Sequence, residues 1–432
     1  MLRSMYSGIS GMKNFQTKLD VIGNNIANVN TAGFKKGRVT FKDTMNQTVS
    51  GASASTDARG GKNPTQVGLG STLATIDTIH TGSSLQTTNR PLDLGIDGDG
   101  YFVVKQGDSE FYTRAGNFYL DDNGTLVNAD GLKVQAYKYL ADGKTLSNTY
   151  GDVAVNVNAV LPATTTNKIT ISGNLDPNTI DNNNDNIFTQ QVKVVDSSGN
   201  EHTIDVHYKK ISTTSVGTPA VATDTWHVFY GKTLDQIKGN PSATPPVAAI
   251  NQDGVLKIDA NNNSTFTPEA AFTTAGIPLP TTPVTYLKGV TISTEGITRN
   301  TGGSTVLSNP NGFTEGKLES FSIGSMGEIN GVYSNGQIST LGRIAIAKFS
   351  NSSGLNKAGN NLFQETVNSG TPDINVAGEG RGTIASGSLE MSNVDLSEEF
   401  TEMITAQRGF QANTRIITTS DEILQELVNL KR

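Results

Sequence analysis

Apolar residues at both ends of the chain recur at a spacing that only helices can use, and this limits the fold more than any other feature. Leu2, Met5, Ile9, Met12, Gln16, Leu19, Gly23 and Ile26 follow alternating steps of three and four, with Phe15, Ile22 and Val29 widening the stripe. At the other end Leu396, Met403, Phe410, Ile417 and Leu424 recur every seven residues, a coiled-coil-like seam flanked by Phe400, Ile416, Ile423, Leu427 and Val428. Ser392, Asn393 and Asp395 are candidate caps for the second helix, whose first turn is acidic.

At about 1.5 Å per residue the first helix is roughly 40 Å long and the second longer, so the two alone make a thin rod. Gly8, Gly11 and Gly23 each weaken the first helix by up to about 1 kcal/mol against alanine. Both ends are therefore expected to fold fully only when other copies of the chain cover the stripes, and to be disordered in the free monomer. A self-contained helical hairpin is the alternative. The polar residues within the seams, Gln16 in the first and Gln407, Thr414 and Asp421 in the second, are expected to set register between copies. "NNIANVNTAG" ends the first helix, and Asn24, Asn25, Asn28, Asn30 and Gly33 are read as a joint that turns the chain outward. Lys35, Lys36 and Arg38 then follow the helix's negative end, or merely keep a loop soluble.

Between the ends the pattern changes to period two, as in "GYFVVKQGDSEFYTRAG", "NEHTIDVHYKK" and "TWHVFYGK", with turn signals at Asn123-Gly124, Ser198-Gly199 and Asp253-Gly254. The expected fold is mainly β with long α-helical termini, in nested discontinuous domains. Residues 1–30 and 393–432 form a terminal helical assembly domain whose helices pair as a coiled-coil-like inner layer. Residues 31–72 form an extended connection, 73–148 and 314–392 one β-rich domain, and 149–313 an inserted outer β-domain.

Chemistry finds little purchase. A net charge of −7 disfavours nucleic acid as a partner, and the absence of cysteine removes disulfides and thiol chemistry. No run reaches the length of a membrane span, and the amino terminus lacks the apolar core and cleavage site of a secretory signal. Asp181, Asn183 and Asp185 have the alternate spacing of a calcium loop, but the sixth-position glycine is missing and Val192 stands where a carboxylate is needed. Asp97 and Asp99 read as turn residues before a strand. His80, His202, His207 and His227 form no metal or nucleophile motif, and "GLGST" and "GEGRG" lack the context of a phosphate loop. No catalytic residue, metal ligand or cofactor is expected.

Residues 8–41, "GISGMKNFQTKLDVIGNNIANVNTAGFKKGRVTF", resemble the amino-terminal signature of the bacterial flagellar rod and hook family. "GSLEMSNVDLSEEFTEMITAQRGFQANTRIITTSDEILQELVNL" resembles its carboxy-terminal signature. "RPLDLGIDGDGYFVV", "YTRAGNFYLDDNGTLVNADG" and "GEINGVYSNGQISTLGRIAIAKFSNSSGLNKAGNNLF" are similar to its shared β-rich domain, whereas 149–313 match loosely. The extra β-domain points to the hook branch of the family, with a distal rod protein bearing an insert as the alternative and a hook–filament junction protein further away.

The resemblance implies a self-assembling flexible tube that transmits motor torque from rod to filament. It implies a homopolymer that meets the distal rod and hook–filament junction proteins, assembles under a cap, and is exported by the flagellar type III apparatus to the cell exterior. From other classes, a β-rich surface adhesin would need no heptad ends, and a secreted hydrolase would need a cleft with paired carboxylates or a nucleophile.

Overall fold

The computed structural model describes residues 2–55, 57, 59–139, 145–156, 160–178, 187–216, 221–238, 252–269, 276–279 and 285–429. The candidate calcium residues Asp181, Asn183 and Asp185 lie outside them. The fold is mainly β with a helix at each end: α1 (Leu2–Ala27), a short α2 (Leu234–Lys238) and α3 (Leu396–Asn429). None of the described helices is long and apolar enough to cross a membrane.

The chain divides into two compact units, one of residues 1–156, 321–331 and 339–432, the other of 157–320 and 332–338. The first unit contains both long helices and an antiparallel sheet ordered Ile338–Lys348, Lys133–Tyr139, Tyr101–Gln106, Ser109–Thr113, Leu362–Gln364 and Asn356–Gly359. Its core gathers Tyr101, Val103, Tyr112, Phe349, Phe363 and Val376, with Tyr112 edge-on to Phe349 at 4.8 Å between ring centroids. Tyr101 and Val103 share the face of "YFVVKQ" that meets this core, while Phe102 and Val104, on the opposite face, are buried as well.

The 31–72 stretch is more regular than its composition indicates. Gly37–Asp43 pairs with Ser71–Thr78, and Asn46–Ser50 with Thr65–Gly68.

In the second unit an antiparallel sheet runs Ile187–Val195, Glu201–Val216, Val221–Tyr230, Gly254–Asp259 and Ser264–Pro268. A second sheet is built on Lys168–Asn174, with Thr305–Pro310 antiparallel and Thr291–Ser293 and Ile297–Thr298 parallel to it. Both contribute to one core around Ile169, Ile171, Tyr208, Trp226 and Leu256. Gly124 and Gly199 adopt the positive φ that their turns require, but Asp253 makes no hairpin turn with Gly254. Its buried carboxylate instead accepts from Tyr230 N at 2.7 Å and pairs with Lys232 at 2.7 Å.

Candidate functional site

The terminal helices pack antiparallel within one chain, which is the hairpin alternative rather than disordered ends. Gly8 lies against Ile417, Gly11 against Asn413, Phe15 against Gly409 and Asn25 against Glu399. A Cβ on Gly409 would stand 2.5 Å from the Phe15 ring, and one on Gly11 2.8 Å from the Asn413 amide. Two of the glycines expected only to weaken α1 thus let the helices approach, whereas Gly23 has nothing within 4 Å. Beside this seam Lys18 pairs with Glu402 at 3.1 Å, and Asn14 donates to Ser71 on the neighbouring strand at 2.8 Å.

The stripe residues Met5, Ile9, Met12, Leu19, Ile26, Met403, Phe410, Ile417 and Leu424 are half-buried in this contact or beside it. Leu2 belongs to α1, but its side chain lies outside the described features. A second heptad series, Glu399, Ala406, Asn413 and Ser420, alternates with the apolar one, and three of its members are more deeply buried. Apolar periodicity cannot detect this series because its members are small or polar. Leu396, Phe400 and Ile404 stand exposed on one flank of α3, and Ile416 and Ile423 on the other.

Of the register candidates, Gln16, Gln407 and Asp421 are exposed, and Asp421 accepts from Gln425 at 3.0 Å. Thr414 caps the Phe410 carbonyl at 3.0 Å, with Met12 Sδ at 3.7 Å.

The exit from α1 is held by side chains rather than by left-handed backbone at the asparagines. None of Asn24, Asn25, Asn28 or Asn30 has a positive φ; only Gly33 does, at 71°, where a Cβ would lie 2.6 Å from the backbone of Arg114 and Ala115. Asn28 Nδ2 caps the Asn24 carbonyl at 2.9 Å and its Oδ1 accepts from Thr31 at 3.1 Å, closing the helix end. Asn24 and Asn30 are exposed. Asn25, 1% exposed, grips both backbone groups of Gly37, donating to its carbonyl and accepting from its N–H, each at 2.9 Å. The same amide reaches both Glu399 oxygens at 3.2 Å. Asp395 is the cap of α3, accepting from Ser397 N at 2.7 Å. Asn393 instead accepts from Lys36 N at 2.7 Å and donates to the Ile79 carbonyl at 2.8 Å.

The lysines after α1 do not simply follow its negative end. Lys36 pairs with Glu398 on α3 at 2.7 Å. Lys35, with a side chain 0% exposed, pairs at 2.6 Å with the equally buried Glu390 and donates to the Thr81 carbonyl at 2.7 Å. Arg114 holds the second Glu390 oxygen at 3.1 Å, and Ser83 approaches the first through its N–H and hydroxyl. Burial lowers the Lys35 pKa, opposed by the Glu390 charge. This cluster ties the exit from α1 to the strand that leads into α3, and it contradicts the idea that Lys35 merely solubilises a loop.

Burial raises the pKa of Glu399, opposed by the Asn25 amide and Lys36. A carboxyl with a raised folded pKa contributes stability that is complete below its unfolded pKa and is lost as pH rises through the folded value. Glu399→Gln is therefore expected to stabilise the protein at pH 7, seen as a higher urea midpoint. The advantage should shrink as pH falls into the carboxylate range; a pH-independent difference would contradict this cause.

Three family models match the chain. They are those of the flagella basal body rod protein over residues 5–35, the flagellar hook protein FlgE/F/G D1 domain over 95–183, and the flagellar basal body rod FlgEFG protein C-terminal over 385–430. The flagellar hook protein FlgE of Borreliella burgdorferi is 40% identical, with 100% of both chains covered. The chain belongs to the flagellar rod and hook family. The matched segments contain Asn25, Lys35, Arg114, Glu390 and Glu399. The flagellar basal-body rod protein FlgG of Bacillus subtilis is 39% identical, again over 100% of both chains. An insert of this length is therefore not by itself what separates hook from rod in this family. The flagellar hook protein FlgE2 of Helicobacter pylori shares the fold at a TM-score of 0.50 and 14% identity, covering 71% of this chain and 100% of its own.

Among the described residues no group of three or more His, Asp or Glu side chains is placed to hold a metal. His207 is buried between Thr189 and the Lys232 carbonyl, and His202 pairs with Asp196.

Proposed function

We infer that this chain is the structural subunit of a bacterial flagellar hook, working as a self-assembled tube rather than as a catalyst. The observation that carries this reading is the α1–α3 pair, pinned by buried amides and ions on one side while Leu396, Phe400, Ile404, Ile416 and Ile423 remain exposed on α3. Such a face on a pinned helix suits burial by further copies. In the tube, segments 1–30 and 393–432 form the inner layer, 73–148 with 314–392 the middle, and 149–313 the outer wall.

Gln16, Gln407, Thr414 and Asp421 set register between copies, and Asn24, Asn25, Asn28, Asn30 and Gly33 form the joint from helix to wall. The tube lies outside the cell, is supplied through the flagellar export apparatus under a cap, and meets distal rod and junction proteins at its ends. A distal rod subunit, the alternative, has one full-length rod-protein relative beside it against several relatives that are hook proteins.

Purified protein is expected to form filaments visible by electron microscopy, and removal of residues 1–30 or 393–432 to abolish them while the β-rich units stay folded. Filaments formed without either terminal segment would overturn the assembly role.

A further inference from the structure

Residues 79–83 run between the exit from α1 and the entrance to α3 and bond to both. Ile79 N donates to the Lys36 carbonyl at 2.9 Å, and the Thr81 carbonyl accepts from Lys35 Nζ at 2.7 Å. On the other side the Ile79 carbonyl accepts from Asn393 Nδ2 at 2.8 Å, and Ser83 N donates to Glu390 at 3.3 Å. His80 sits within this segment, its ring edge-on to Tyr101 and Phe363 with centroids 6.0 and 5.4 Å away.

These surroundings suit a neutral imidazole and oppose a charged one. Nδ1 lies 2.7 Å from Tyr101 Oη, while Nε2 is buried without a hydrogen-bond partner among the described residues. Whichever nitrogen carries the hydrogen of the neutral ring, a protonated ring carries one on each, so Nε2–H then lacks an acceptor.

The neighbouring charges act in the same direction. Lys35 and Arg114 share the single carboxylate of Glu390, and Lys36 and Arg38 are matched by Glu398 and Asp77. Lys357 has no carboxylate partner among the described residues and reaches the Lys35 carbonyl at 3.2 Å. Asp99 and Lys348 add one charge of each sign to the cleft that His80 lines. Burial, and then Lys35, Lys357 and Arg114, hold the His80 pKa down to about 4. A histidine held below its ordinary value of 6.5 contributes stability that is complete above that pH and is lost as pH falls toward 4.

We propose that His80 makes this joint open in acid: the ring takes a proton only on leaving its place against Tyr101, and residues 79–83 then release the α1 exit and the α3 entrance together. The device belongs to the single chain, so it stands or falls separately from assembly.

The test is amide hydrogen exchange on the full-length monomer at pH 7 and pH 5, corrected for the intrinsic rates. The Ile79 N–H, bonded to Lys36, and the Met391 N–H, bonded to the Ser84 carbonyl at 3.0 Å, are expected to lose about tenfold in protection at pH 5. Amides of Tyr101–Gln106 should keep theirs. In His80→Phe, whose ring can face Tyr101 and Phe363 but takes no proton, the loss should vanish. No loss in wild type, an equal loss in the variant, or a loss spread evenly through the sheet would overturn the proposal. If His80→Phe does not fold, His80→Asn, which keeps an acceptor toward Tyr101, replaces it. If neither folds, titration of the wild-type histidine ring signals decides. His80 still neutral at pH 5.5 while Ile79 exchanges faster supports the switch, and His80 titrating near pH 6.5 in the folded protein overturns it.

Discussion

Glu390→Gln is expected to destabilise the first unit by about 3–5 kcal/mol, because it leaves Lys35 and Arg114 buried around an uncharged amide. Lys35→Met should cost clearly less, since Glu390 keeps Arg114 and Ser83. Urea denaturation of the two variants checks the order. Equal losses would mean that Lys35 alone matters, and no loss from either would return Lys35 to the role of a solubilising lysine. Filament formation should fail in Glu390→Gln even at temperatures where the variant remains folded, because the α1 exit and the α3 entrance are then no longer held together.

The second large effect concerns the helix seam. Glycine costs an α-helix about 1 kcal/mol relative to alanine, so Gly→Ala stabilises wherever space permits. At Gly23, with nothing within 4 Å, alanine should therefore stabilise by about that amount. At Gly409 the added Cβ stands 2.5 Å from the Phe15 ring, and overpacking of about 1–3 kcal/mol outweighs the gain. Gly409→Val should separate the helices and abolish polymerisation, and Phe15→Ala in the same chain should restore part of both stability and assembly. A Gly409→Val protein as stable as wild type, or a double variant no better than the single one, would show that close approach of the helices is not required.

The difference between these two glycines illustrates what sequence can convey. Helix spacing, the cap at Asp395 and the alternating strands around Tyr101 and Tyr112 were legible because each is set by residues near in sequence. The partners of the joint were not, because Lys35 and Glu390 are 355 residues apart and nothing local pairs them. A partial signal existed in "FYTRAG", where alternation gives Arg114 the same parity as the buried Tyr112 and so points a charge inward. The asparagines that close α1 differ from the expected left-handed backbone, since Asn25, within the last turn, bonds to Gly37 and to Glu399 through its amide and none of the four has a positive φ. Glu399, Ala406, Asn413 and Ser420 escaped notice because a seam built from small and polar residues has no hydrophobic period.

Copies are proposed to assemble through the terminal helix pair, held by the contacts between the α1 exit and the α3 entrance. A cryo-electron microscopy reconstruction of filaments grown from the purified protein tests this most directly. Residues 1–30 and 393–432 are expected to line the inside of the tube. Leu396, Phe400 and Ile404 should be covered by neighbouring copies, with Gln16, Gln407 and Asp421 at contacts between copies. A tube held only by contacts among residues 157–320, with Phe400 and Ile404 left facing solvent, would contradict it.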